Sequence, residues 1–123
     1  MIDMKMMGKP KQFDGNDANW TEWSFVFKSY TALMSVDMSD LMTRAAMSPA
    51  EVPMSPDDEE AQVQRDLYHV LVLLCTGRAL QELQRCPAYN GLECWRPLVA
   101  RYEPAERGRA LGLLSGILAE VWG

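Results

Sequence analysis

The sequence predicts an all-α protein, an orthogonal or bundled domain of about five to six helices. Three observations predict it. Apolar residues recur at offsets of three, four and seven through most of the chain, the spacing that gathers side chains on one helix face. No run alternates apolar and polar residues with period two, as a half-buried strand would. Capping residues, prolines and glycines cut the chain into helix-length pieces.

The first helix is predicted over about 18–36. The turn Phe13-Asp14-Gly15-Asn16 precedes it, with Gly15 free to take positive φ and Asp14 and Asn16 able to bond their own backbone. Asp17 or Asn19 can cap the helix. Trp20, Trp23, Phe27, Tyr30 or Thr31, and Met34 then share a face. Asp37 and Ser39 are natural caps for a second helix over about 39–47. Met34, Met38 and Met42 recur every four residues and read as core filler, with an adaptable contact surface as the alternative.

Residues 48–55 carry Pro49 and Pro53 and read as a loop. A third helix follows. Ser55 is its expected N-cap, Pro56 its first residue, and Asp58 the capping-box partner. Asp57 to Glu60 crowd the positive end of its dipole, which explains the acidic run without a metal. Val63, Leu67, Val70, Leu71 and Leu74 form its apolar side, and Gly77 is expected just past its end. A short helix over about 78–85 stops at Pro87. Asn90-Gly91 starts the next, where Trp95, Leu98 and Tyr102 recur at i, i+3 and i+7. Pro97 falls inside it and should kink it.

The last helix is predicted from about Pro104 to Trp122. Leu111, Leu114 and Leu118 share one side, while Gly108, Gly112 and Gly116 form a bare stripe on a flank. Each Gly costs up to about 1 kcal/mol of helix stability relative to Ala, so close approach of another helix is the expected compensation. That helix is either the domain's own third helix or one from a second copy.

Composition bounds the function. A chain of 123 residues suits one domain. With 48% hydrophobic and 24% charged residues, it has an ordinary globular composition. The net charge is −5, with six Lys/Arg against twelve Asp/Glu in residues 1–66, so neither half is a basic nucleic-acid platform. Residues 1–12 hold Lys5, Lys9 and Lys11 without any period and read as a flexible arm, an electrostatic contact with RNA or membrane being the alternative. The three cysteines do not make a secreted disulfide framework, no signal peptide is visible, and no apolar run is long enough to span a bilayer. A reducing, cytoplasmic location and no membrane insertion are expected.

Catalytic chemistry has little to stand on. His69 is the single histidine, and Cys75 lies six residues on, on a different helix face. Cys86 and Cys94 are too widely spaced for a usual zinc pair, and no glycine-rich phosphate loop follows a strand. No catalytic residue, metal or cofactor is expected, and the chain is read as a non-enzyme.

Three blocks carry a family resemblance. Phe13-Asp14-Gly15-Asn16 followed by Trp20 resembles the F-x-G-x-n-W opening of copia-type LTR-retrotransposon Gag proteins. Leu74-Cys75-Thr76-Gly77-Arg78-Ala79 resembles their L-x-G-x-A stretch, and Ala88 to Tyr102 resembles their a-x-x-x-W-x-x-L-x-x-x-Y block. The resemblance covers about 13–121. It implies a capsid-like helical lobe that self-assembles into particles packaging the element's RNA. The family-motif residues Phe13, Gly15, Trp20, Trp23, Gly77, Trp95, Leu98 and Tyr102 are then packing residues. The likeness implies homo-oligomers through Gag–Gag contacts, with Gly108, Gly112 and Gly116 as a self-association stripe. It implies RNA contact through a zinc knuckle and, after the last helix, a second helical lobe; neither is found in this sequence, so residues 13–123 are expected to be a single Gag-like domain cut before that lobe. Two alternatives stay open: a domesticated Gag-like adaptor that binds host peptides, and an unrelated helical regulatory domain.

Overall fold

The structure, a computed structural model, describes residues 10–103. The predicted last helix, with Gly108, Gly112 and Gly116, lies outside the described residues, as does the expected arm up to Lys9. The described residues are all-α: α1 (Asp17–Met34), α2 (Val36–Met47), α3 (Asp58–Leu74), α4 (Gly77–Gln84) and α5 (Gly91–Tyr102).

Four of the five helix starts are capped by a side chain. Asn16 caps α1, its side chain accepting from the Ala18 N–H. The sequence pointed to Asp17 or Asn19, but both are already helical. Ser35 ends α1 and starts α2: its N–H donates to the Thr31 carbonyl, and its hydroxyl accepts from the Met38 N–H. The second helix therefore begins earlier than Ser39. Asp57, not Ser55, caps α3 through the Glu60 N–H, because Ser55 is turned toward the Asp57 N–H and the Glu60 carboxylate. Gly77 opens α4 instead of closing α3, since the chain leaves helical geometry at Cys75 and re-enters it two residues later. Asn90 caps α5 through the Glu93 N–H, and the helix continues through Pro97 to Tyr102.

The buried faces follow the predicted stripes with local exchanges. On α1, Trp20, Trp23, Phe27 and Thr31 are buried, and Tyr30 is only partly so. On α2, Met38 and Met42 are core residues. On α3, Gln64 is buried where the apolar pattern points to Val63. Helix α5 sits at the centre, packing on α2, α3 and α4, while α1 packs along α2.

Residues 10–12 of the expected arm are held in place. The Lys11 carbonyl accepts from the Trp23 indole at 2.7 Å, and Gln12 donates to the Leu73 carbonyl at 3.2 Å.

Candidate functional site

The three family-like blocks meet at one crossing. Phe13 and Cys75 form an isolated parallel β-bridge, with the Phe13 N–H donating to the Leu74 carbonyl and the Thr76 N–H to the Phe13 carbonyl, each at 2.8 Å. Two glycines let the strands cross. Gly15 has φ +91°, and a Cβ there would lie 2.7 Å from the Arg78 Cβ and 2.9 Å from the Ala79 nitrogen. Gly77 has φ +54°, and a Cβ there would lie 3.0 Å from the Asp14 carbonyl oxygen. Both positions need the left-handed region and the missing side chain. Asp14 Oδ1 accepts from the Asn16 N–H at 2.9 Å and fixes the turn.

Phe13 joins this crossing to the aromatic core. Its ring stacks on Trp23 at 5.0 Å and meets Trp20 and Tyr102 edge-on at 5.4 and 4.9 Å. Trp20 contacts Trp95 and Tyr102, each at 5.7 Å, and Phe27 contacts Trp95 at 5.4 Å. Leu98 completes the buried set. The polar tips are satisfied, as buried Trp and Tyr require. Trp20 donates its indole N–H to Glu103 at 2.8 Å, and the Tyr102 hydroxyl donates to Glu82 at 3.1 Å. Burial, then that bond to Glu82, pushes the Tyr102 phenol above its usual range.

A second constellation is polar and buried. Asn90 Oδ1 accepts from the Glu93 N–H and from Gln64 Nε2, while its amide donates to the Val52 carbonyl at 2.8 Å. Gln64 donates to the Pro53 carbonyl and accepts from the Ser55 N–H at 2.8 Å. Glu93 accepts from the Val52 N–H at 2.8 Å and takes two bonds from Arg96. These side chains strap the proline-containing 48–56 segment onto α3 and α5. The Arg96 bonds hold the Glu93 carboxyl below the usual carboxylate range, against the opposing pull of burial. Gly91 lets the start of α5 lie against α3: a Cβ there would lie 2.4 Å from the Tyr68 nitrogen.

The reactive side chains sit elsewhere. Cys75 is buried, and burial, with Glu82 adding to it, pushes its thiol up to about 12, which leaves it a poor nucleophile. His69 is exposed, its ring beside Tyr68 and Tyr89. Cys86 and Cys94 line a common cleft of about 280 Å³ with Glu82, Arg85, Pro97, Leu98 and Arg101. Among the described residues no cluster of three or more His, Cys, Asp or Glu could hold a metal ion, and no helix is long and apolar enough to cross a membrane.

The structure therefore brings together Phe13, Gly15, Trp20, Trp23, Gly77, Trp95, Leu98 and Tyr102. Comparison with protein-family models, curated proteins and solved structures gives no match. Sequence reasoning missed the Gln64–Asn90–Glu93 strap. Its one legible signal is Asn90-x-x-Glu93, a capping-box spacing directly before an apolar run.

Proposed function

We propose that the chain is a capsid-like structural protein of the LTR-retrotransposon Gag type, a helical lobe that self-associates into particles packaging the element's RNA. One observation carries the reading: the residues of the three Gag-like blocks converge on a single crossing and its aromatic core, as packing residues of one scaffold would. The exposed side chains fit a role in contacts between copies. Phe25, Leu33 and Val36 are 72%, 53% and 71% exposed, apolar area that a protein interface would cover. A net charge of −5 leaves RNA contact to other parts of a Gag polyprotein.

Sedimentation velocity over a wide concentration range, with negative-stain microscopy of the concentrated sample, tests the reading. Concentration-dependent oligomers or particles are expected, and Phe25→Ser with Leu33→Ser should weaken them while leaving the helical spectrum intact. A monomer at every concentration would overturn it, and peptide binding by such a monomer would favour the adaptor. In a gel shift at roughly 150 mM salt, single-stranded RNA should bind no tighter than micromolar, the non-specific range.

A further inference from the structure

Two cysteines line one cleft in unequal surroundings. Cys86 lies just past the end of α4 and is half-buried, whereas Cys94, in α5, is fully buried. The Cys86 Sγ is 3.4 Å from the Glu82 carbonyl oxygen, and the Cys94 Sγ is 3.9 Å from the carbonyl oxygen of Pro87, the next residue after Cys86. Both thiols line the same cleft, and each shifts the titration of the other. The neighbouring Cys94 lowers the Cys86 thiol from its ordinary value, with a smaller contribution from Arg96, while burial, Glu93 and Glu82 oppose it. Cys86 in turn, together with burial, pushes Cys94 up. One thiol is thus accessible with its thiolate favoured, and its neighbour is held protonated against it. Such an arrangement suits an attacking and a resolving cysteine.

We propose that Cys86 and Cys94 form a site of reversible two-electron oxidation, at which Cys86 reacts with a peroxide and Cys94 converts the product to an intramolecular disulfide. The Cys86 thiolate attacks one peroxide oxygen, the O–O bond breaks, and hydroxide leaves, giving a sulfenic acid on Cys86. Oxidation of the Cys86 thiolate removes the charge that raises the Cys94 thiol, and hydroxide takes the Cys94 proton to form water. The Cys94 sulfur then attacks the Cys86 sulfur, the S–O bond breaks with loss of hydroxide, and the S–S bond forms. The two sulfurs lose one electron pair and the peroxide gains it. A dithiol reductant reverses the reaction by exchange. Cys75, buried at the Phe13 bridge and outside the lining of this cleft, stays reduced and serves as the internal control. The site stands independently of any assembly role.

The test treats the folded full chain with hydrogen peroxide, alkylates it in denaturant with N-ethylmaleimide, and reads intact mass and peptide map. The expected product carries one alkylated cysteine in place of three, with Cys86 and Cys94 peptides linked, and dithiothreitol restores all three. Cys94→Ala should stop at a sulfenic acid on Cys86, trapped by dimedone. Cys86→Ser should leave Cys94 reduced. Three alkylated cysteines in the treated wild-type chain, a linkage through Cys75, or dimedone on Cys94 instead of Cys86 would overturn the proposal. The wild-type readout stands even where a variant folds poorly.

Discussion

Trp20 and Trp95, which belong to two different family-like blocks, contact each other at 5.7 Å in the centre of the fold, both almost completely buried. Trp20 comes from α1 and Trp95 from α5, so this pair locks the start of the described chain to its end. Phe27 backs the same Trp95 ring, and Phe13 backs Trp20. Large aromatic areas concentrated at one point make the core depend on few residues.

Trp95→Ala should therefore cost roughly 3–5 kcal/mol, a large fraction of a small domain's stability. Urea denaturation followed by circular dichroism measures it. An unchanged midpoint would show that the Trp95 ring does not hold α1 to α5.

The glycines should rank by what their Cβ would strike. Gly91→Ala meets backbone atoms of Tyr68 and Leu67 at 2.4 and 2.7 Å, and backbone cannot swing aside. Gly15→Ala meets Arg78 and Ala79 and also keeps a positive φ. Each should destabilise by more than about 1 kcal/mol, the scale of Ala at a position it cannot adopt. Gly77→Ala meets one carbonyl at 3.0 Å and should be the mildest of the three. Thermal melts of the three variants side by side check the order.

Glu93 gives the fold an acid-sensitive strap. Its folded carboxyl is lowered, so its contribution is fully present above the unfolded carboxylate range and is lost as pH falls through the lowered folded value. Glu93→Gln should cost roughly 1–3 kcal/mol near neutrality, the scale of a lost charged acceptor in a buried network. The gap to wild type should close in acid. Urea midpoints of both proteins across the acid range test this, and a gap constant with pH would sink the strap's electrostatic part.

Tyr89 is the one described residue other than glycine with positive φ, at 66°, and its side chain is 55% exposed. A bulky residue pays for that conformation, and Asn tolerates it better. Tyr89→Asn should leave stability equal or raise it by up to about 1 kcal/mol. A clear loss would show that the ring contacts with Tyr68 and His69, at 5.5 and 5.8 Å, outweigh the backbone strain.

The sequence by itself determined the helices and their apolar faces, because the 3.6-residue period, the caps and the prolines act within a few residues of one another. Trp20, Trp23, Phe27, Trp95, Leu98 and Tyr102 were legible as core for that reason. It also marked Gly15 and Gly77 as special, since Gly15 sits in a turn and Gly77 follows an apolar run. What it could not give was their use. Gly77 reads locally as a helix stop, yet its positive φ serves the crossing with Asp14, a contact made only when distant segments pack. The same holds for Gln64, Asn90 and Glu93, ordinary polar residues until the 48–56 segment lies over them and offers its backbone groups. Cys86 and Cys94 read as too widely spaced for a usual zinc pair, and the turn between α4 and α5 places both on one cleft. Local pattern is written in neighbouring residues, whereas buried polar partners and close backbone approaches are chosen by which helices meet, and that choice belongs to the tertiary fold.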